Sequence, residues 1–257
     1  MKRGLPEKFI VYGHLVGEPN HIVADYYRYP TVDEFDDFIR WVRRHGYAFV
    51  GLHDFLKEDG RKKILLTFDD GFRVVHSVLQ PYMQANKLPY VLFVLTDPLD
   101  NPDFYISTIR PKRETERTFL TKAEILELKD QGVHIGFHTR SHYQVRNADI
   151  MNDIVKEQLT IPKQHEALFS RPLCFAYPYL APDHYAAFDQ FMKDSLGYQF
   201  LFDTKGFRQP DGNHFFRVSI DVEKDVTRKN WMRFVLKRQL LLYLKQKMSR
   251  AIKTVSL

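Results

Sequence analysis

The stretch of sequence that determines the fold reads ILLTFDDG and occupies residues 64–71. It opens with a continuous apolar run, which is typical of a strand buried on both faces in a parallel sheet. Asp69 and Asp70 follow the run directly, and two carboxylates at the end of a buried strand are costly unless a cation or hydrogen bonds compensate. Gly71 permits a backbone turn that residues with a Cβ avoid. The pair could instead cap a helix predicted over 74–86, because Asp is favoured at that position.

Strands and helices alternate along the rest of the chain. Thr31 and Thr121 each precede a Glu by three positions, which predicts two capping boxes and a helix after each. Further strands are predicted over 9–12, 90–95, 133–137, 174–177, 198–202 and 217–220. Helices are also predicted over 150–169, broken at Pro162, and over 183–196, and a loop over 97–119. Repeated βα units predict an α/β fold with a largely parallel sheet, open or closed into a barrel, and an active site at the carboxyl ends of the strands.

Composition limits the class of protein. The chain has 257 residues, of which 44% are hydrophobic and 27% charged, as in ordinary globular domains. No run of about 18 apolar residues exists, so no membrane-spanning helix is predicted. The single cysteine, Cys174, excludes internal disulfides and a metal site built from several cysteines. No signal for export is visible in the sequence, and a cytoplasmic location is therefore expected.

Positive charge is concentrated in residues 226–257, which hold nine cationic side chains and no acidic one, while the net charge of the whole chain is +6. Apolar residues interleave with these cations, so a basic amphipathic helix is predicted that could lie on an anionic membrane, on its inner face. The alternatives are a helix packed on the domain formed by residues 1–225, or a contact between copies. A basic surface confined to the tail does not indicate nucleic-acid binding.

A second polar motif, HTRSH at residues 138–142, follows the strand predicted over 133–137. Two imidazoles together with one carboxylate are a common catalytic metal set that leaves a position open for water. The alternative is a pair of surface histidines in a loop. The stretch FAYPY at residues 175–179 also ends a predicted strand, and by its pattern alone it could be ordinary core and turn.

Taken together, the motifs TFDDG, HTRSH and FAYPY resemble those of the polysaccharide deacetylase family, the NodB-homology domains of carbohydrate esterase family 4. The resemblance covers roughly residues 8–222. It implies a distorted (β/α) barrel, a divalent metal that is usually zinc, and hydrolysis of N-acetyl groups from amino sugars. Another divalent transition metal would also suit two histidines and one carboxylate.

By this resemblance, the metal ligands would be Asp70, His138 and His142. Asp69 would be the general base that accepts a proton from water. The backbone N–H of Tyr179 would be a donor to the oxyanion.

The sequence departs from the family pattern in three places. Ala176 stands where the third motif commonly has the Arg that orients the base, and Arg217 is the predicted substitute, with Arg171 as the second choice. Leu180 stands where Gly is frequent. The late Leu-x-His motif that supplies the general acid is missing; His14 at the end of the first strand is the predicted acid, with a solvent-exposed histidine as the alternative.

A further histidine, His214, follows Gly212 and Asn213 and is expected in a turn. The sequence thus predicts a metal-dependent N-deacetylase that removes acetyl groups from N-acetylhexosamine units of a polysaccharide or lipid-linked glycan intermediate, in exopolysaccharide or cell-envelope glycan biosynthesis. The alternatives are an amidohydrolase of a non-sugar amide and a non-catalytic saccharide-binding or assembly protein on the same scaffold. The pattern leaves the oligomeric state open.

Overall fold

The computed structural model describes residues 6–17, 29–106, 117–146, 152–182, 185–208 and 210–221, together with Lys237, Leu240, Leu241 and Leu244. These four tail positions are helical, and Leu240 packs partly buried against the core. The remainder of the predicted amphipathic helix, and residues 107–116 of the predicted loop, lie outside the described residues. No helix among the described residues is both long and apolar enough to cross a bilayer.

A closed parallel barrel forms the centre of the molecule. Its strands are β1 (Lys8–Gly13), β2 (Ala48–Phe49), β3 (Lys63–Phe68), β4 (Tyr90–Val94), β5 (His134–Phe137), β6 (Cys174–Ala176), β7 (Phe200–Asp203) and β8 (His214–Ser219). Strand β1 pairs with both β3 and β8, and this closes a ring of seven strands among the described residues, with β2 added outside on β3. The predicted (β/α) barrel is confirmed.

Helices surround this barrel. They are α1 (Val32–Arg44), α2 (Leu52–Leu56), α3 (Gln80–Ala85), α4 (Asp97–Asp100), α5 (Lys122–Asp130), α6 (Asp153–Leu159) and α7 (Tyr185–Asp194). Both predicted capping boxes are present, since Thr31 and Thr121 each exchange hydrogen bonds with the Glu three residues later. A π-helical turn, Val75–Leu79, precedes α3, and a 3₁₀ segment, Lys163–Leu168, follows α6 on the far side of Pro162.

Alternation along each strand places side chains on two faces. Ile64, Leu66 and Phe68 of β3 face the helices, whereas Leu65 packs inside the barrel. The same alternation directs Thr67, and beyond the strand Asp69, toward the interior. The carboxyl end of the barrel interior is therefore polar, although the strand reads as apolar throughout.

Candidate active site

A buried ion pair closes the barrel interior below its carboxyl rim. Arg217 of β8 donates to Asp69 through both terminal nitrogens, at 2.7 and 2.9 Å, and to the Thr67 hydroxyl at 3.1 Å. Its guanidinium also lies over the ring of Tyr12, 4.8 Å from the centroid. Burial alone would raise the pKa of Asp69, but Arg217 together with the neighbouring histidines outweighs it and lowers that pKa. The second choice, Arg171, is exposed and precedes β6, at the opposite end of the barrel.

Asp70, His138 and His142 converge on one point beside this pair. Each offers a ligand atom, and these atoms lie within 4.8 Å of one another. The Asp70 Oδ1 is 3.4 Å from the Nε2 of either histidine. Asp70 has φ 72° and His142 has φ 61°, in the left-handed region that few residues with a side chain adopt. Backbone strain of this kind is concentrated at functional sites, and here it turns both ligands toward one another.

The protonation of His138 fits a metal ligand. Its Nδ1 lies 2.8 Å from the carbonyl oxygen of Ala176, which can only accept, so Nδ1 carries the proton and Nε2 presents its lone pair toward Asp70. Burial lowers the pKa of both His138 and His142 to about 4, and both rings are therefore neutral near pH 7.

The loop between the two histidines is held by its own polar residues and by α6. The Thr139 hydroxyl oxygen accepts from the Tyr143 N–H at 2.9 Å. The Ser141 hydroxyl and N–H both donate to Gln158 Oε1, at 2.9 and 3.0 Å. Arg140 donates to Asp97 Oδ1 at 3.1 Å. The histidine loop is thus a fixed part of the barrel rim.

His14 reaches the same site from the end of β1. Its Nδ1 donates to Asp221, and its Nε2 lies 3.9 Å from Asp70 Oδ2. Burial would lower the pKa of His14, but Asp221 and the two site aspartates outweigh it and raise that pKa to about 9. The side chain remains 23% exposed, so it is open to the rim.

Asp221 is a site residue that the sequence analysis missed. It lies two residues after β8, and a search for acidic residues just beyond each predicted strand would have found it. Gly13 makes its approach possible, because a Cβ there would lie 2.8 Å from Ile220 Cγ1 and 3.3 Å from Asp221 Oδ1. Steric crowding therefore explains why a glycine, Gly13, separates Tyr12 from His14.

Tyr179 lies at the rim, with its ring 4.8 Å from the ring of His142. It adopts φ 62°, and both it and Leu180 are exposed. The expectation for His214 is wrong: this residue begins β8, is fully buried, and contacts Asp189 of α7 at 2.7 Å. It was mistaken for a turn residue because the turn ends immediately before it.

The sequence profile of the family described as polysaccharide deacetylase matches residues 56–200, more than half of the chain. The chain belongs to the polysaccharide deacetylase family. Curated relatives include the poly-β-1,6-N-acetyl-D-glucosamine N-deacetylases of Staphylococcus aureus strain MSSA476 and of Staphylococcus epidermidis. The former is 23% identical over 75% of this chain and 67% of the relative, the latter 20% over 76% and 68%.

Solved structures share the fold. A de-N-acetylase from Aggregatibacter actinomycetemcomitans superposes with a TM-score of 0.65 at 17% identity, covering 88% of this chain and 99% of the other. IcaB from Ammonifex degensii gives a TM-score of 0.61 at 20% identity, covering 89% and 97%. At these identities the likeness is one of fold, and it agrees with the barrel described above.

Proposed function

We propose that this family member is a metal-dependent N-deacetylase that acts on N-acetylhexosamine units of a polysaccharide. One observation carries the proposal: two adjacent carboxylates face different partners. Asp69 is held by Arg217, whereas Asp70 faces His138 and His142. The arrangement provides a base and a ligand set side by side, which metal-assisted hydrolysis of an amide requires.

A divalent cation fits the three ligands. Among the described residues, Asp70 Oδ1 has no hydrogen-bond partner, although it is buried. Buried polar atoms are rarely left in this state, and a cation between Asp70, His138 and His142 would compensate the carboxylate. When bound there, it would lower the pKa of a water molecule and polarise the acetyl carbonyl.

The proton transfers are assigned to residues around these ligands. Asp69 accepts a proton from the attacking water, while Arg217 fixes its carboxylate. The N–H of Tyr179 stabilises the negative charge that develops on the carbonyl oxygen. His14, held by Asp221, donates a proton to the leaving nitrogen. The carbon–nitrogen bond breaks, and acetate and a free amine are released.

The substrate named for the curated relatives is the basis for a proposed substrate of this chain. Since they are deacetylases of poly-β-1,6-N-acetyl-D-glucosamine, we propose an N-acetylglucosamine polymer with this linkage as the first substrate to test. A lipid-linked or nascent exopolysaccharide intermediate is the form that suits a basic tail at a membrane.

The ion pair of Asp69 and the His14–Asp221 contact also argue against a non-catalytic scaffold.

The test measures acetate release from β-1,6-linked N-acetylglucosamine oligomers, with and without added zinc, beside Asp69→Asn. We expect release that depends on the metal and is lost in the variant. β-1,4-Linked oligomers and small non-sugar amides serve as comparison substrates. Release from the small amides alone would contradict the saccharide assignment, and no release from any of them would contradict the enzyme.

A further inference from the structure

Three consecutive residues that begin at the end of β7, Asp203, Thr204 and Lys205, each bind the backbone of the neighbouring loop, and we call them the loop brace. Asp203 Oδ1 accepts from the Ala181 N–H at 3.0 Å. The Thr204 hydroxyl donates to the Tyr179 carbonyl oxygen. The Lys205 ammonium donates to the Ala181 carbonyl oxygen at 3.3 Å. The brace therefore fixes the peptide groups on both sides of Leu180, which lies between Tyr179 and Ala181.

Strand register explains why these segments meet. β6 and β7 are parallel, with Ala176 beside Phe202, so the loops that leave them start side by side. Leu180 is 48% exposed, and burial of its side chain therefore does not hold the loop in place. Tyr179 has φ 62°, a left-handed conformation that is strained for a residue with a side chain and persists only where the surroundings impose it. The brace supplies that constraint.

His214 supports the brace from behind. Its Nδ1 is 2.7 Å from Asp189 Oδ2, and its Nε2 is 3.6 Å from Asp203 Oδ2. Its ring stacks on Tyr177, whose hydroxyl donates to Asp189 at 3.0 Å. Burial would lower the pKa of His214, but the two carboxylates outweigh it and raise that pKa. When His214 is protonated, its ring and Lys205, 3.3 Å from Asp203, balance both carboxylates.

We propose that the loop brace, with His214 behind it, positions the Tyr179 N–H for the developing oxyanion. Its members are positioning residues, since their described contacts are with the loop and not with the metal ligands. The inference rests on the proposed function, because the oxyanion role of Tyr179 belongs to it. Removing one oxyanion donor typically lowers kcat by about 100- to 1000-fold. The brace orients the donor and does not supply it, so its loss is expected to cost less.

The experiment compares Thr204→Val with Thr204→Ser in the full chain loaded with zinc. The valine removes the hydroxyl that binds the Tyr179 carbonyl and keeps the shape, whereas the serine keeps the hydroxyl. We expect Thr204→Val to lower kcat by about tenfold with less than about a threefold change in KM. Zinc content and Tm should match the wild type, and Thr204→Ser should restore kcat. Thr160→Val is the matched control, since it removes a hydroxyl that donates to the carbonyl of Lys156, at 2.7 Å, elsewhere on the surface.

Amide hydrogen exchange gives a second readout that needs no turnover. Exchange over 177–182 should be faster in Thr204→Val and in Asp203→Asn than in the wild type, and unchanged over 134–146. If the wild type releases acetate and Thr204→Val keeps full kcat, the inference is overturned. If the wild type releases no acetate, the proposed function fails; faster exchange would still support the brace as the device that fixes the loop, and unchanged exchange would overturn it.

Discussion

The roles of two neighbouring residues are separated by backbone conformation. Asp70 and Gly71 have φ 72° and 73°, and this double left-handed turn carries the second carboxylate away from the first. A Cβ on Gly71 would lie 3.0 Å from Val94 Cγ1, so a side chain there would be strained and crowded. The Asp69 side chain instead points into the barrel, as the inward-facing side chains of β3 do, and meets Arg217.

Replacing Arg217 tests the buried pair. Arg217→Met leaves the Asp69 carboxylate buried without its partner, and we expect a loss of about 3–5 kcal/mol in the free energy of unfolding. Urea unfolding followed by circular dichroism measures it. Adding Asp69→Asn to Arg217→Met should recover most of the loss, because no lone charge remains. Losses that simply add in the double variant would contradict a direct coupling between the two side chains.

Replacing His14 tests the proposed acid. General acids typically contribute about 100- to 10,000-fold to a rate, so His14→Ala should lower kcat within that range while zinc content is retained. Lost zinc, or full activity, would contradict the assignment. Asp221→Asn should also lower kcat, because the His14 imidazole would lose the carboxylate that holds it.

Gly13 offers an independent route to the same pair. Gly13→Ala places a methyl group against Ile220 and Asp221, and it should displace the carboxylate from His14. We expect kcat to fall by about tenfold, less than the roughly 100-fold that a full 1 Å misplacement in an active site can cost. Gly51→Ala is the matched control, since the nearest atom to its added Cβ would be Pro89 Cβ at 3.7 Å, an ordinary contact. Equal activity of Gly13→Ala and Gly51→Ala would contradict the steric role of Gly13.

The sequence allowed part of this site to be predicted at the residue level. Asp70, His138 and His142 belong to motifs with fixed spacing, and the structure brings them together. Arg217 was predicted to replace the Arg that the third motif lacks at Ala176, and the structure places it on Asp69. Asp221 carries no motif, since one acidic residue after a strand is common. Its contact with His14 depends on pairing across 207 positions, which local patterns do not encode.

At the scale of elements, β7, β8 and α7 meet around the imidazole of His214. The pKa of His214 is raised above 6.5, so its stabilising contribution is fully present below about pH 6.5 and is lost as the pH rises through the raised value. The difference in unfolding free energy between wild type and His214→Gln should therefore shrink from mildly acidic to mildly alkaline pH. Asp189→Asn should move this decline to lower pH. A difference that grows with pH would show that the ring is held neutral.

Elements with strong local signals were predicted correctly, and those defined by tertiary contacts were not. The capping boxes of α1 and α5 are visible in the sequence and present in the structure. β2 has two residues and α2 five, too few for an apolar period to show. β8 begins three residues earlier than predicted, because polar His214 opens a strand that is buried from its first residue.

At the scale of the whole molecule, the basic tail remains a prediction. We propose that residues 226–257 contact an anionic membrane on its cytoplasmic face. Each basic residue near such a surface contributes about 1 kcal/mol, so replacing Lys245, Lys247 and Arg250 by Gln should weaken binding to anionic liposomes by roughly 100-fold at low salt. Liposome flotation measures it, with zwitterionic vesicles as the control. Equal flotation of the wild type and the triple variant would contradict the proposal. Cell fractionation with a high-salt wash tests the location at the cytoplasmic face of the membrane.

Closure of the barrel by β1 sets an order in which the site can form. The three residues proposed to hold the metal all lie between positions 70 and 142, but His14 meets Asp221 only when the first strand pairs with the last. Contacts so distant along the chain are slow to form in folding. During synthesis or refolding, the capacity to bind a cation can therefore arise before the capacity for turnover. Recovery of acetate release then reports the final step of assembly, later than helix formation.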